Sequence, residues 1–228
     1  MKNTWLVAVL LVSTGLFAQT TFNYKTDHEK MLARTKDAKD ALFYDTQLQR
    51  FKAHDTKQTD TEVLSMLVAY AKNPEFNPLK DSFRESIVQE LMTDQKYEDA
   101  LGMANKLLKG SPFDIKGIYH KATILRKLEQ NDSAKAYDKQ WQKILKAMFL
   151  SGNGTSMANP TFSLGPDDGS VFIGLFIGAE VTGRKTEKNP EGQTVAVYEA
   201  LLEKKRKLTL YFLIDDAQKR WDEESKKK

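Results

Sequence analysis

The sequence predicts an α+β fold, with helices from the N-terminal end to about residue 150 and a small sheet after them. Three observations predict it. First, apolar residues recur at helical spacing between Tyr24 and Leu150, and Ala100 and Ala134 stand 34 residues apart, the period of tetratricopeptide repeats. Second, the composition changes at Ser151 to the glycine- and serine-rich stretch SGNGTSMANP. Third, QTVAVYEALLE and KLTLYFLID read as two strands of a hairpin. The expected organisation is a signal peptide over 1–18, a tetratricopeptide-like helical domain over 19–150, and a small α+β domain over 151–228. That last part is expected to be mainly antiparallel β, with one short helix and a basic C-terminal tail.

Residues 1–18, MKNTWLVAVLLVSTGLFA, have the parts of an export signal. Lys2 is the positive end, Trp5 to Val12 is an apolar run, and small or neutral residues lead to Ala18 before Gln19. Leu16 sits where a smaller residue would be preferred. The alternative is a retained anchor, but a spanning helix needs about 20 apolar residues, more than this stretch offers. No later segment could cross a bilayer, so the mature chain is expected to be soluble and periplasmic or secreted. The chain has no cysteine, which removes a lipoprotein anchor, disulfides, thiolate metal sites and cysteine nucleophiles. With 40% hydrophobic and 10% aromatic residues, it can build a core without disulfide staples.

Tyr24, His28, Met31 and Leu32 share one helical face, with Thr26 or Asp27 as the expected N-cap. Leu42, Phe43, Leu48 and Phe51 suit a short helix or an ordered loop. Residues 60–72 predict a helix capped by Asp60, with Val63, Leu64, Leu67, Val68 and Ala71 inward and Asn73-Pro74 at its end. Phe83, Ile87, Val88 and Leu91 give 80–93 a further apolar helical face.

The register that pairs Ala100 with Ala134 also pairs Leu91 with Leu125 and Val88 with Ala122. It defines two units, 81–114 and 115–148, with Pro112 closing the first. Small alanines at such positions let paired helices approach closely. The second unit departs from the pattern, with Asn131 for Tyr97, Asp138 for Ala104 and no closing proline. About three repeats are needed to bury a continuous core, so the helix at 60–72 is expected to be a degenerate third.

After the junction, TFSLG reads as a short strand and Pro166-Asp167-Asp168-Gly169 as a turn that can cap a helix. In VFIGLFIGAEV the β-branched content argues for strand and the preceding turn for helix. The expectation is a short helix over 169–177, then a strand from Ala179. The hairpin turns about the basic stretch at 203–207, EKKRK. In its second strand Thr209, Tyr211 and Leu213 face one side, and Leu208, Leu210, Phe212 and Ile214 the other. Both faces are largely apolar, which predicts a central, covered strand. From Asp216 the chain is expected to be a polar helix or tail, with Trp221 docking back.

Thirty-five basic residues stand against 31 acidic ones, mixed along most of the chain. No basic stripe interleaved with aromatics is present, so nucleic acid is not an expected partner. The loop Gly152, Asn153, Gly154, Thr155 and Ser156 could cradle an anion with backbone amides, yet it lacks the lysine and spacing of a P-loop. An interdomain turn explains it as well.

The pairs Asp167-Asp168 and Asp215-Asp216 could do acid–base chemistry only if they converge in space; turn and cap roles also explain them. His28, His54 and His120 lack zinc-ligand spacing, so no metal or cofactor is expected. No GxSxG elbow occurs and no histidine lies beyond the junction, which excludes a Ser–His–Asp hydrolase confined to that part. On the repeat helices, Tyr119, His120, Tyr137 and Trp141 are candidate partner-binding side chains, whereas Tyr97 occupies a packing position.

Four features, LFAQ at the signal end, YEDALGMANKLLK…KGIYHKATILRKLEQNDSA, SGNGTS…NPTFSLGPDDG and LTLYFLID, together carry a resemblance. The chain resembles an uncharacterised domain-of-unknown-function family of exported Bacteroidota proteins, over nearly all of its mature length. The resemblance implies a tetratricopeptide-like helical part followed by a small α+β part, and it transfers no activity, cofactor or catalytic residue. It also implies that Asp132-Ser133-Ala134 matches an O-glycosylation acceptor pattern of that phylum, with Ser133 as the modified residue.

The functional expectation is an exported, non-enzymatic binding or scaffold protein holding a peptide or envelope-protein partner, or a glycan, on a short helical repeat. The alternative is a hydrolase of envelope or dietary polymer, with Asp167, Asp168 and Asp215 clustered where the two parts meet.

Overall fold

The computed structural model describes residues 24–78, 82–203 and 206–226; the signal peptide expected at 1–18 lies outside them. The architecture is α+β. Helices α1 (Tyr24–Arg34), α2 (Tyr44–Lys52), α3 (Asp60–Ala71), α4 (Ser82–Thr93), α5 (Tyr97–Gly110), α6 (Ile115–Lys127) and α7 (Asn131–Ser151) come first. Strand β1 (Thr161–Phe162) and helix α8 (Asp168–Phe172) follow, α8 running on as a π-helical turn over Ile173–Ile177. Strands β2 (Glu180–Lys188), β3 (Thr194–Leu202) and β4 (Arg206–Leu213) and helix α9 (Asp215–Ser225) complete the chain. Among the described residues no helix is long and apolar enough to cross a membrane.

Thr26 and Asp27, expected as caps, lie inside α1, which already begins at Tyr24. The cap of α3 is Thr59 rather than Asp60. Its side chain accepts from the Glu62 backbone N–H, and the Glu62 carboxylate accepts from the Thr59 N–H at 2.7 Å, a reciprocal capping box. Glu62 also pairs with Arg50 at 2.6 Å, which ties α2 to the start of α3. Thr59→Ala is expected to cost about 1 kcal/mol, read as a lower urea midpoint at unchanged slope.

Helix α3 is buried almost all round: Val63, Leu64, Met66 and Leu67 are fully enclosed, and so is Ser65. A helix of that kind belongs inside a core and not at the end of a stack. Accordingly α3 packs against α7, α2 and α1, which corrects the expectation of a third repeat ahead of α4. The two units themselves form helix pairs, α4 with α5 and α6 with α7, and α5 packs on α6. Ala100, Ala104, Ala122 and Ala134 are all enclosed at these crossings. The departure at Asp138 has a local cause: its carboxylate pairs with Arg126 at 2.5 Å and accepts from the Trp141 indole N–H at 3.2 Å.

The sheet has the order β1-β4-β3-β2, parallel between β1 and β4 and antiparallel elsewhere. Tyr198 stands opposite Leu210 and Val195 opposite Leu213. Strand β4 is central as expected, but it is covered only over its second half; Arg206, Lys207 and Thr209 are exposed. The cover ends there because β1 is two residues long and the junction loop closes the edge just beyond it. The Gly154 carbonyl accepts from the Tyr211 N–H at 2.8 Å.

One face of the sheet, with Tyr198, Leu210 and Phe212, joins a core that also contains α3 residues and Ile144, Leu145 and Met148 of α7. The two parts of the chain therefore share this core, while Val88, Ala100, Ala104, Leu107 and Ile124 form a separate cluster between α4, α5 and α6. Trp221 does not dock back and is 44% exposed. Helix α9 is held instead by buried Ala217, an Asp216–Lys72 ion pair and an Arg220 bond to the Asn73 carbonyl at 3.1 Å.

Candidate functional site

A cleft of about 100 Å³ opens where the segment after α3, the α5–α6 turn and residues 164–171 meet. Tyr70, Phe76 and Phe113 form its aromatic side. Tyr70 meets Phe113 edge-on at 4.8 Å between ring centroids, and Phe76 at 5.4 Å. Leu164, Pro166 and Val171 form the other side, and Glu85, Asp114, Lys116, Asp167 and Asp168 supply the polar lining.

The second wall is held in shape by hydrogen bonds that begin with Asp168. One carboxylate oxygen accepts from the backbone N–H groups of Leu164 and Gly165, each at 2.9 Å, with the Ser163 hydroxyl 3.3 Å away. The Pro166 carbonyl accepts from the Tyr198 hydroxyl and from Arg184 at 3.2 Å. Arg184 also binds Asp167 at 2.6 Å. On the facing side, Asp114 caps α6 by accepting from the Gly117 N–H at 2.7 Å.

Glu85 is matched by Lys116, and Asp167 by Arg184. Asp168 is surrounded differently. Burial, and then the nearby charge of Asp114, push its carboxyl up to about 7, against the pull of the bonds from Gly165, Leu164 and Ser163. A carboxyl poised near neutrality in a cleft can exchange a proton, accept a hydrogen bond or receive a cation. Among the described residues no group of three or more His, Cys, Asp or Glu is arranged to hold a metal ion.

The residues singled out from the sequence are distributed over several places. Asp167 and Asp168 line the cleft; Asp215 and Asp216 do not. Asp215 accepts from the Thr194 N–H at 2.9 Å and pairs with Lys219 at 2.6 Å, while Asp216 pairs with Lys72. The structure thus brings together only one of the two aspartate pairs, and it adds Asp114 and Glu85.

The repeat aromatics largely contact one another. Tyr119 and Trp141 meet at 5.9 Å and 80°. Tyr137 carries Lys121 over its ring at 4.2 Å and accepts its ammonium at 2.6 Å on the hydroxyl. His120 is half-buried, and burial holds its imidazole below the usual value.

In the junction loop, the Gly154 N–H donates to the Asn159 carbonyl at 3.0 Å and the Thr155 N–H to the Asn153 side chain at 3.0 Å. Gly154 has φ +64°, and a Cβ on Gly152 would meet the Pro160 carbonyl oxygen at 2.2 Å. Both glycines are thus required by the turn itself. Ser156 and Ser133 are exposed.

Asp114, Glu85 and Lys116 escaped the sequence reading as site residues. Asp114 carried one local signal, an aspartate directly before an apolar helix, which predicts a cap and nothing more. The convergence of these side chains with Asp168 depends on how α8 packs on α6.

A short helical repeat and a four-stranded sheet that share a core, with a cleft lined by four acidic side chains at their junction, define an α+β protein. Residues 29–164, more than half of the chain, match the family described as Domain of unknown function (DUF4919), and the chain belongs to that family. Comparison with curated proteins and with solved structures returned no match.

Proposed function

We propose that this is an exported, non-enzymatic binding protein that holds an extended peptide segment, free or belonging to an envelope protein, in the junction cleft. The observation that supports it is the cleft: an aromatic wall facing a braced turn, with polar groups able to fix the orientation of a bound chain. Export to the periplasm or beyond is inferred from the signal-like residues 1–18. The repeat surface around Tyr119 and Trp141 is the weaker place for a partner, because its aromatics are already packed on one another. The test is retention of a synthetic random heptapeptide library, acetylated and amidated at its ends, on the immobilised mature chain. Val171→Trp, which fills the cleft, should abolish retention while leaving the circular dichroism melt intact. Equal retention by both proteins, or by neither, would overturn the reading.

A second reading, hydrolysis of an envelope or dietary polymer, draws its support from Asp168 standing near Asp114 in the cleft. Release of soluble fragments from labelled envelope glycan, lost in Asp168→Asn, would support it. No release by the wild type would remove it.

A further inference from the structure

The charge arrangement inside the cleft says more about what it takes. Glu85 has Lys116 and Asp167 has Arg184. Asp168 has two backbone N–H groups and a hydroxyl on one oxygen, and among the described residues no cation contributes to its setting. Among the described residues, the groups that face it are Asp114 from the α5–α6 turn, Asp167 beside it and Tyr198 from β3; Lys116 and Glu85 line the cleft as a pair, and Arg184 holds Asp167. A carboxyl so placed, beside a second carboxyl and between apolar walls, is complementary to a group with an apolar stem and a positive end.

Resting on the peptide-binding reading above, we infer that the segment held in the cleft is basic: a lysine or arginine lays its methylenes along Leu164 and Val171 and places its charged head against Asp168. Glu85 and Asp167 hold their own cations and do not compete for it. Because burial and Asp114 leave Asp168 partly protonated near neutrality, an arriving cation favours the ionised form and displaces its remaining proton. Binding therefore tightens as the pH rises from about 6 to about 8.

The heptapeptide library decides between the possibilities when the retained pool is sequenced at pH 8. The wild type is expected to enrich lysine and arginine by about tenfold at one position, the scale of a partly buried charged hydrogen bond. Asp168→Asn, which keeps an oxygen to accept the bonds from Leu164 and Gly165, should still retain peptides but without that enrichment. A lysine heptapeptide from the pool should bind the wild type more weakly at pH 6 than at pH 8, and its glutamine counterpart should show no such dependence. Retention without basic enrichment, or enrichment unchanged in Asp168→Asn, overturns this inference and leaves the cleft reading standing. No retention beyond that of Val171→Trp overturns both.

Discussion

Replacing Gly169 by alanine is expected to destabilise the protein by about 2–3 kcal/mol, the upper range for overpacking a tight contact. A Cβ at this position would lie 2.5 Å from a Tyr198 ring carbon and 2.9 Å from a Phe212 ring carbon. Neither ring can move away cheaply. Both are fully buried, they meet each other edge-on at 5.4 Å, and the Tyr198 hydroxyl is bonded to the Pro166 carbonyl. The first turn of α8 would have to lift off the sheet, taking Val171 and the Pro166 turn with it. A lowered urea midpoint together with a loss of peptide retention is the expected pair of results. Unchanged stability would show that α8 does not press on the sheet at Gly169.

Asp168→Asn is expected to stabilise the protein above neutral pH. The folded-state value of Asp168 lies above the unfolded one, at about 7 against 3.8. Between those values the folded chain keeps a proton that the unfolded chain has released, so the favourable contribution is complete below the unfolded value. It is lost as the pH rises through the folded one. The variant should equal the wild type near pH 4 and exceed it near pH 8, by about 1–3 kcal/mol after allowance for partial solvation.

The histidines act in the opposite sense. Burial lowers His28, His54 and His120 below 6.5. Their contribution is complete above that value and is lost as the pH falls through it towards their folded values. Since both proteins share them, the difference between the two pH–stability curves isolates Asp168. Superimposable curves would refute its raised value.

Much of the fold was legible because it is written in short-range periodicity. The helices at 60–72, 80–93 and 97–150, the strand from Ala179 and the closing hairpin follow from apolar spacing and turn residues. The structure places α3, α4, α5, α6, α7, β2, β3 and β4 there. The ambiguous VFIGLFIGAEV is helical up to Ile177 and extended from Glu180, with Gly178 at φ +75° as the hinge. Its turn and glycine outweighed its β-branched residues. The errors are of another kind. Thr59 and Asp60 are both good caps, and only the Glu62 carboxylate reaching back to Thr59 chooses between them. Trp221 looks like an anchor in one dimension, yet the inward face of α9 is set by Ala217.

By itself the sequence determined the element types, the 34-residue step and the two helix pairs it implies, since these depend on contacts between near neighbours in the chain. Tertiary structure alone decided that α3 leaves the stack for α7, that both parts share a core, and that Asp168 faces Asp114 while Asp215 and Asp216 serve α9. The physical reason is that a carboxyl's chemistry is set by its burial and by the charges around it, and here those come from segments far apart along the chain.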